Sequence, residues 1–224
     1  MSPVSTEQLE AIQTIVDQHI TAAEPVTAKI LPLADARKQG AMMLFGEKYP
    51  DPVRMVAMGQ FSKELCGGTH LDNTEEVEAF DISSEESVAS GTRRIVALTG
   101  MKAKDNIQRT RDAVVGLCQS MNVSALQLPE AVKRQQDRLR DLKKCLSSGG
   151  TPKEFQPLPP SAEQEELSHA QRKAILQEVA RVLNVPLFDA PQRVAGMLTD
   201  CQNMEEEIAK RKEAGPVSAD DLIA

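Results

Sequence analysis

Residues 112–132, DAVVGLCQSMNVSALQLPEAV, recur in outline at 174–194, AILQEVARVLNVPLFDAPQRV, and this repeat restricts the C-terminal half of the chain to two copies of one small helical unit. Asn122, Val123, Pro129 and Val132 fall without a gap on Asn184, Val185, Pro191 and Val194. Beyond each proline, Val132, Leu139, Leu142 and Leu146 run in step with Val194, Cys201, Met204 and Ile208, the spacing of a helix that packs along one face. Each unit reads as a helical hairpin whose proline opens the second helix, where its missing N–H costs nothing. The same two seams, 132–146 and 194–208, would also allow a coiled-coil dimer.

The aromatic inventory pushes the same way. Five Phe, one Tyr and no Trp leave the core to Leu, Ile, Val, Met and Ala, which favours packed helices over a broad β-sandwich. Ahead of the repeat, Leu9, Ile12, Ile15, Val16 and Ile20 predict an amphipathic helix over 6–23 with Thr6 as its cap. A short extended stretch follows Pro25, then a helix from near Pro32 broken at Gly40, and a turn at YPDP. Alternating apolar residues at 53–59, 77–83 and 92–98 predict three strands of one small, largely antiparallel sheet packed on the first helix. Strand signals stop near residues 101–104.

The expected fold class is therefore α+β: a small antiparallel sheet packed on helices, followed by an all-α region of two helical hairpins. The division is 1–102 for the mixed domain, 103–148 for the first hairpin, 149–162 for a Pro, Gly and Ser-rich linker, and 163–224 for the second hairpin and tail. The N-terminus lacks the apolar run of a signal peptide and no stretch reaches the roughly 20 apolar residues of a membrane span, so the expectation is a cytoplasmic protein without membrane contact. Its four widely spaced cysteines suit reduced thiols better than a disulfide scaffold.

Residues 64–70, ELCGGTH, carry the chemistry. A thiolate at Cys66 and a neutral imidazole at His70 are good zinc ligands, with Gly67 and Gly68 free to bend the backbone between them. Two ligands make half a site, and a cysteine and a turn histidine that meet no metal are the plain alternative. His19 and His169 lie in helical segments that nothing in the sequence brings to Cys66.

The surrounding blocks, GAMMLFGEKYPDPVRMVAMGQFSKELCGGTHLDNT and then FDISSEESVASGTRRIVALTG, closely resemble the editing domain of alanyl-tRNA synthetases, a domain shared with free-standing alanyl-tRNA editing proteins. The resemblance covers approximately residues 7–100 and is most specific at Gly40–Tyr49, Met58–His70 and Ser84–Gly100. The long LFGEKY block and the helical hairpins that follow favour the C-terminal half of a synthetase's editing domain plus its next helical region.

The resemblance implies a zinc ion held by Cys-x-x-x-His together with an earlier His-x-x-x-His on a helix. Cys66 and His70 match the first pair; the chain holds no His-x-x-x-His, whose place in the family precedes residue 1. The implied reaction is hydrolysis of the ester joining serine or glycine to the tRNA that should carry alanine, the partner being the acceptor end of tRNA(Ala). Glycine is smaller than alanine and serine differs by one hydroxyl, differences that an apolar first site rejects poorly.

Around these ligands, Gln60 and Thr69 are candidates for substrate or supporting contacts. Arg93 and Arg94 match the family's arginine pair and should point to opposite faces of a strand, one of them toward RNA. Glu85 is expected to accept backbone N–H groups or orient an arginine. Residues 133–144, with six basic and two acidic side chains in a chain of net charge −7, add Lys133, Arg134 and Arg138 as RNA-contact candidates; a solvated, salt-bridged helix surface is the alternative.

The chain departs from the family in having EEVEAF where a glycine-containing turn is usual, in its second hairpin, and in the acidic Glu205–Glu207 run. It contains neither an adenylate-forming module nor a P-loop, so aminoacylation would be the parent enzyme's. Three functions remain open: a synthetase segment contributing to zinc-dependent editing, a non-catalytic tRNA-binding or helical assembly module, and a free-standing editing enzyme completed by a partner chain. The absent ligands would come from the N-terminal part of the synthetase, or from another chain, a second copy included.

Overall fold

The computed structural model describes residues 3–44, 46, 48–159 and 166–213, and they form two units that meet in sequence between Ile107 and Gln108. The end of the expected linker, 160–162, and the tail after residue 213 lie outside the described residues, as do Phe45 and Glu47 of the LFGEKY block.

The first unit opens with helix α1, Thr6–Thr21. Its cap is Ser5 rather than Thr6: Ser5 is extended, its hydroxyl accepts from the Gln8 N–H, and the Gln8 side chain returns the bond. Strand β1, Val26–Leu31, leads to helix α2, Leu33–Lys38, which starts after Pro32 and ends before Gly40, whose φ of 75° stops it. Strand β2, Val53–Met58, then pairs antiparallel with β1 and with β3, Ser62–Leu65, giving the order β1–β2–β3. The four residues of β3, SKEL, are too short and polar to show an apolar alternation. The turn between β2 and β3 requires glycine: at Gly59, with φ of 51°, a Cβ would stand 2.5 Å from the Glu24 carboxylate.

The expected strand at 77–83 begins later. Asn73 caps a 3-10 turn over Thr74–Val77 with Glu76 completing a capping box, and β4 runs from Phe80 to Ala89 before pairing antiparallel with β5, Thr92–Thr99. The strands thus form two separate sheets, not one. Gln13 on α1 donates to the Phe80 carbonyl at 2.6 Å, tying the first helix to β4.

The EEVEAF departure becomes intelligible at Glu78. This residue has φ of 62° and ψ of −53°, and the Ala79 N–H donates to the Val77 carbonyl at 2.7 Å, which makes a γ-turn of the strained hand. A glutamate thus occupies a position whose positive φ glycine suits. Lys104 pairs with the Glu78 carboxylate at 2.9 Å, both groups about half exposed, and such a pair offsets little.

Helix α3, Gly100–Met121, carries the chain into the second unit, where α4, Leu128–Ser148, α5, His169–Leu183, and α6, Ala190–Glu213, complete a bundle. The repeat is visible in backbone geometry. Asn122 and Asn184 share a left-handed φ of 54°, the 3-10 turns Ala125–Gln127 and Leu187–Asp189 follow each at the same interval, and α4 and α6 start in register. The Val123 N–H closes on the Cys118 carbonyl just as Val185 closes on Ala180. Val132, Leu139 and Leu142 of α4 and Val194, Cys201 and Ile208 of α6 are buried in one core with Leu117, Leu176 and Val179. Helices α4 and α6 pack on one another within the chain, so the two seams that would also allow a coiled-coil dimer meet each other here.

The expected linker is docked. Arg138 on α4 donates to Glu205 on α6 at 2.7 and 2.9 Å and to the Lys153 carbonyl at 2.7 Å, with the Phe155 ring 5.7 Å from its guanidinium carbon. The Lys153 N–H reaches Asp141 at 2.8 Å and Leu158 packs on the bundle core. No helix among the described residues is long and apolar enough to cross a membrane.

The strained turn makes a quantitative expectation. Glu78→Gly should stabilise the first unit by about 1 kcal/mol, since glycine adopts positive φ without the penalty of a Cβ. Glu78→Ala, which loses the same ion pair but retains the strain, should show no gain when the two are compared by chemical denaturation.

Candidate functional site

Cys66 follows directly on β3, and its N–H donates to the Arg54 carbonyl at 3.2 Å, carrying the β2–β3 ladder one residue further. The Arg54 side chain crosses back, and its Nη1 donates to the Cys66 carbonyl at 2.7 Å and the Gly68 carbonyl at 2.8 Å. The His70 ring closes on the same Gly68 carbonyl, 3.1 Å from Nδ1. Cys66 Sγ lies 3.6 Å from where a Gly68 Cβ would stand. Thiol and imidazole are thus both gathered around Gly68.

A carbonyl oxygen only accepts, so the His70 contact calls for a proton on Nδ1, and in the neutral ring Nε2 is then the nitrogen with the lone pair. That is the arrangement of a metal-ligating histidine, whose other nitrogen is held by a backbone carbonyl or carboxylate. Cys66 is a free, half-buried thiol. Thiol and imidazole are residue types that can ligate zinc, but among the described residues no group of three or more His, Cys, Asp or Glu is placed to hold a metal ion.

The glycines do not serve as expected. Neither Gly67 nor Gly68 has positive φ, and a Cβ on Gly67 would meet open space. The loop is shaped by Arg54, not by glycine's conformational freedom. Sequence reasoning passed over Arg54, whose signal is a cation in the otherwise apolar strand VRMVAM.

The other candidates divide by geometry. Thr69 is exposed within the ligand loop, whereas Gln60 is exposed on the β2–β3 turn, at the opposite end of β3 from Cys66. Four extended residues separate them, roughly 13 Å along the strand. His19 is also at that end: its Nδ1 meets Glu24 at 2.7 Å and its ring lies 3.9 Å from that of Phe61 on the same turn. Thr74 holds this corner together, its hydroxyl accepting from the Glu24 N–H at 2.8 Å and donating to the His19 carbonyl at 2.6 Å. His169 opens α5 in the second unit.

Arg93 and Arg94 do diverge. Arg93 makes a two-armed pair with Glu85, through Nε to Oε1 and through Nη2 to Oε2 at 2.7 Å, and its side chain is 17% exposed. Arg94 is 60% exposed and stands 3.5 Å from Glu86. Arg93 is therefore committed to the hairpin, and Arg94 is the one that faces solvent. Arg138 is likewise withdrawn from the RNA candidates by its clamp on the docked segment, at 13% exposure. Arg134 pairs with Glu130 one turn back, and Lys133 is exposed.

Burial pushes the Cys118 thiol above its usual range, and does the same to Cys201 against the opposing hydrogen bond from Gln135.

With that geometry in place, residues 53–96, from β2 into β5 and including Cys66 and His70, match the family of the threonyl and alanyl tRNA synthetase second additional domain. At full length the chain is similar to the alanine–tRNA ligase of Rhodopirellula baltica, 40% identical over 99% of this chain and 24% of that enzyme. That of Oceanobacillus iheyensis is 33% identical over 96% of this chain and 23% of the enzyme, and that of an Anaeromyxobacter species is 42% identical over 64% and 16%. The chain is homologous to a segment of the alanyl-tRNA synthetases and spans about a quarter or less of the length of these relatives.

The Arg93 guanidinium holds the Glu85 carboxyl below its ordinary value of 4.5, opposed by desolvation and helped by the Val4 N–H. A depressed carboxylate value contributes stability above the unfolded pKa and loses it as pH falls through the folded one. In a carboxyl-detected NMR titration, Glu85 should titrate below 4.5 in the folded chain. Arg93→Gln should return it upward and loosen the β4–β5 pairing at neutral pH.

Proposed function

We propose that this chain supplies part of a zinc-dependent editing site that hydrolyses the ester of seryl- or glycyl-tRNA(Ala), with Cys66 and His70 as two of the metal's ligands. The observation that supports it is the Gly68 carbonyl, which collects the His70 Nδ1 proton beside the Cys66 thiol within the stretch matched to the synthetase domain. A bound zinc would act as a Lewis acid on the substrate ester or its attacking water. Catalytic zinc ordinarily has three protein ligands, so the remainder come from the rest of a protein of synthetase length. Thr69, exposed between the two ligands in sequence, is the candidate side chain of this chain for the esterified amino acid.

The tRNA backbone would meet exposed cations. Lys133, Lys143 and Lys144 are exposed on α4, Arg134 is half-buried there, and Arg94 faces solvent from β5. A second reading, a tRNA-binding or assembly module without hydrolysis, is favoured by the limit of two ligands among the described residues.

Deacylation of seryl-tRNA(Ala) separates the two. In a synthetase-length protein carrying this segment, Cys66→Ala should remove several kcal/mol of charge stabilisation, hence lower hydrolysis by about a hundredfold or more. Aminoacylation should be unchanged. Equal hydrolysis by the variant would exclude Cys66 as a ligand of the editing zinc.

A filter-binding series against salt tests the RNA face. Lys133→Ala and Lys144→Ala should each weaken tRNA binding and lower the salt slope by about one, independent of base sequence. Arg138→Ala should instead reduce bundle stability.

A further inference from the structure

Arg54 is half-buried near the start of β2 and grips the ligand loop from two sides. Its carbonyl accepts the Cys66 N–H, and its Nη1 spans the carbonyls of Cys66 and Gly68 at 2.7 and 2.8 Å. The Gly68 oxygen has two lone pairs; Arg54 takes one and His70 Nδ1 the other. A neutral imidazole in water prefers its proton on Nε2, so the observed contact holds His70 in the less favoured tautomer. A charged donor to an oriented carbonyl makes a shorter and stronger hydrogen bond than a neutral one, which fixes where that carbonyl points.

We propose that Arg54 is a positioning residue for His70: by pinning the Gly68 carbonyl it imposes the Nδ1–H tautomer and leaves Nε2 as the atom offered to an electrophile. That the electrophile is zinc rests on the editing reading above; the tautomer control does not. Arginine suits the task because one Nη carries two hydrogens in a fixed plane and reaches two carbonyls at once, whereas a lysine ammonium is a compact, rotating point charge. Arg54 acts through Gly68 and His70.

The test is a long-range proton–nitrogen correlation spectrum of the chain's histidines at a pH where the imidazole is neutral. His70 should show a protonated Nδ1 and a bare Nε2, and the Arg54 Nη hydrogens should exchange slowly as separate signals. A wild-type His70 protonated on Nε2, or a freely rotating Arg54 guanidinium, overturns the proposal without any variant. Arg54→Gln should shift His70 to the mixed tautomers of a free imidazole, and Arg54→Lys should lie between, with backbone amide signals of β1 and β2 unmoved. Unchanged His70 signals in a folded Arg54→Gln variant also overturn it.

Cobalt as a probe metal separates the two levels of the argument. With the thiolate-to-cobalt absorption as readout, Arg54→Gln should weaken binding by about 10- to 100-fold, the usual cost of losing a group that orients a ligand. Tautomer control without cobalt binding would uphold Arg54's role and count against the zinc reading. Cobalt binding indifferent to Arg54 would do the reverse.

Discussion

Strand β2 carries the first unit because it alone among the described strands is paired on both edges, to β1 from Val26 through Leu31 and to β3 from Ser62 through Leu65. Val53, Met55 and Val56 are buried along it, and the small core of Ala36, Ala41, Val53 and Met55 gathers on it. Arg54 lies inside this run, so the residue that shapes the ligand loop is held by the best-buried segment of the unit. A loop is the usual place for a functional residue, provided a rigid element positions it. Here the rigid element reaches into the loop through one side chain.

The second unit depends on a different constraint. With few aromatic residues, its core comes from aliphatic side chains at helical spacing, and α4 and α6 fill it with corresponding positions of the repeat. The left-handed Asn122 and Asn184 end their helices alike, which sets the second helix of each hairpin running from an equivalent point. Asparagine tolerates that conformation better than most residues, so its recurrence in the sequence has a backbone cause.

That is why the bundle was largely legible in the sequence and the sheets were less so. Helical periodicity over twenty residues repeats its information at every turn, while SKEL contains none, and the strand expected from Val77 failed because the Asn73 and Glu76 side chains stabilise a turn first. Cys66 and His70 were legible as a pair because their residue types carry chemistry. Arg54 was not, since its role lies in two backbone carbonyls distant in sequence, and no residue type announces a carbonyl. A coiled-coil dimer was one arrangement the two seams allowed, since an apolar stripe does not say whether its partner lies in the same chain.

Several arginines of the chain act as clamps in a way the sequence also concealed. Arg54, Arg93, Arg138 and Arg211 all grip oxygens already inside the fold: loop carbonyls, Glu85, Glu205 with the Lys153 carbonyl, and Glu207 with the Leu146 carbonyl. Planar guanidinium groups meet such paired acceptors with a geometry that an ammonium lacks. Lys133, Lys143 and Lys144 remain exposed as solvated point charges, the form of cation that meets a phosphate backbone without fixing its orientation. In a chain of net charge −7, a polyanion can approach only where positive charge is left outside, so any RNA contact on α4 falls to its exposed cations, Lys133, Arg140, Lys143 and Lys144 with the partly exposed Arg134, rather than to the Arg138 clamp.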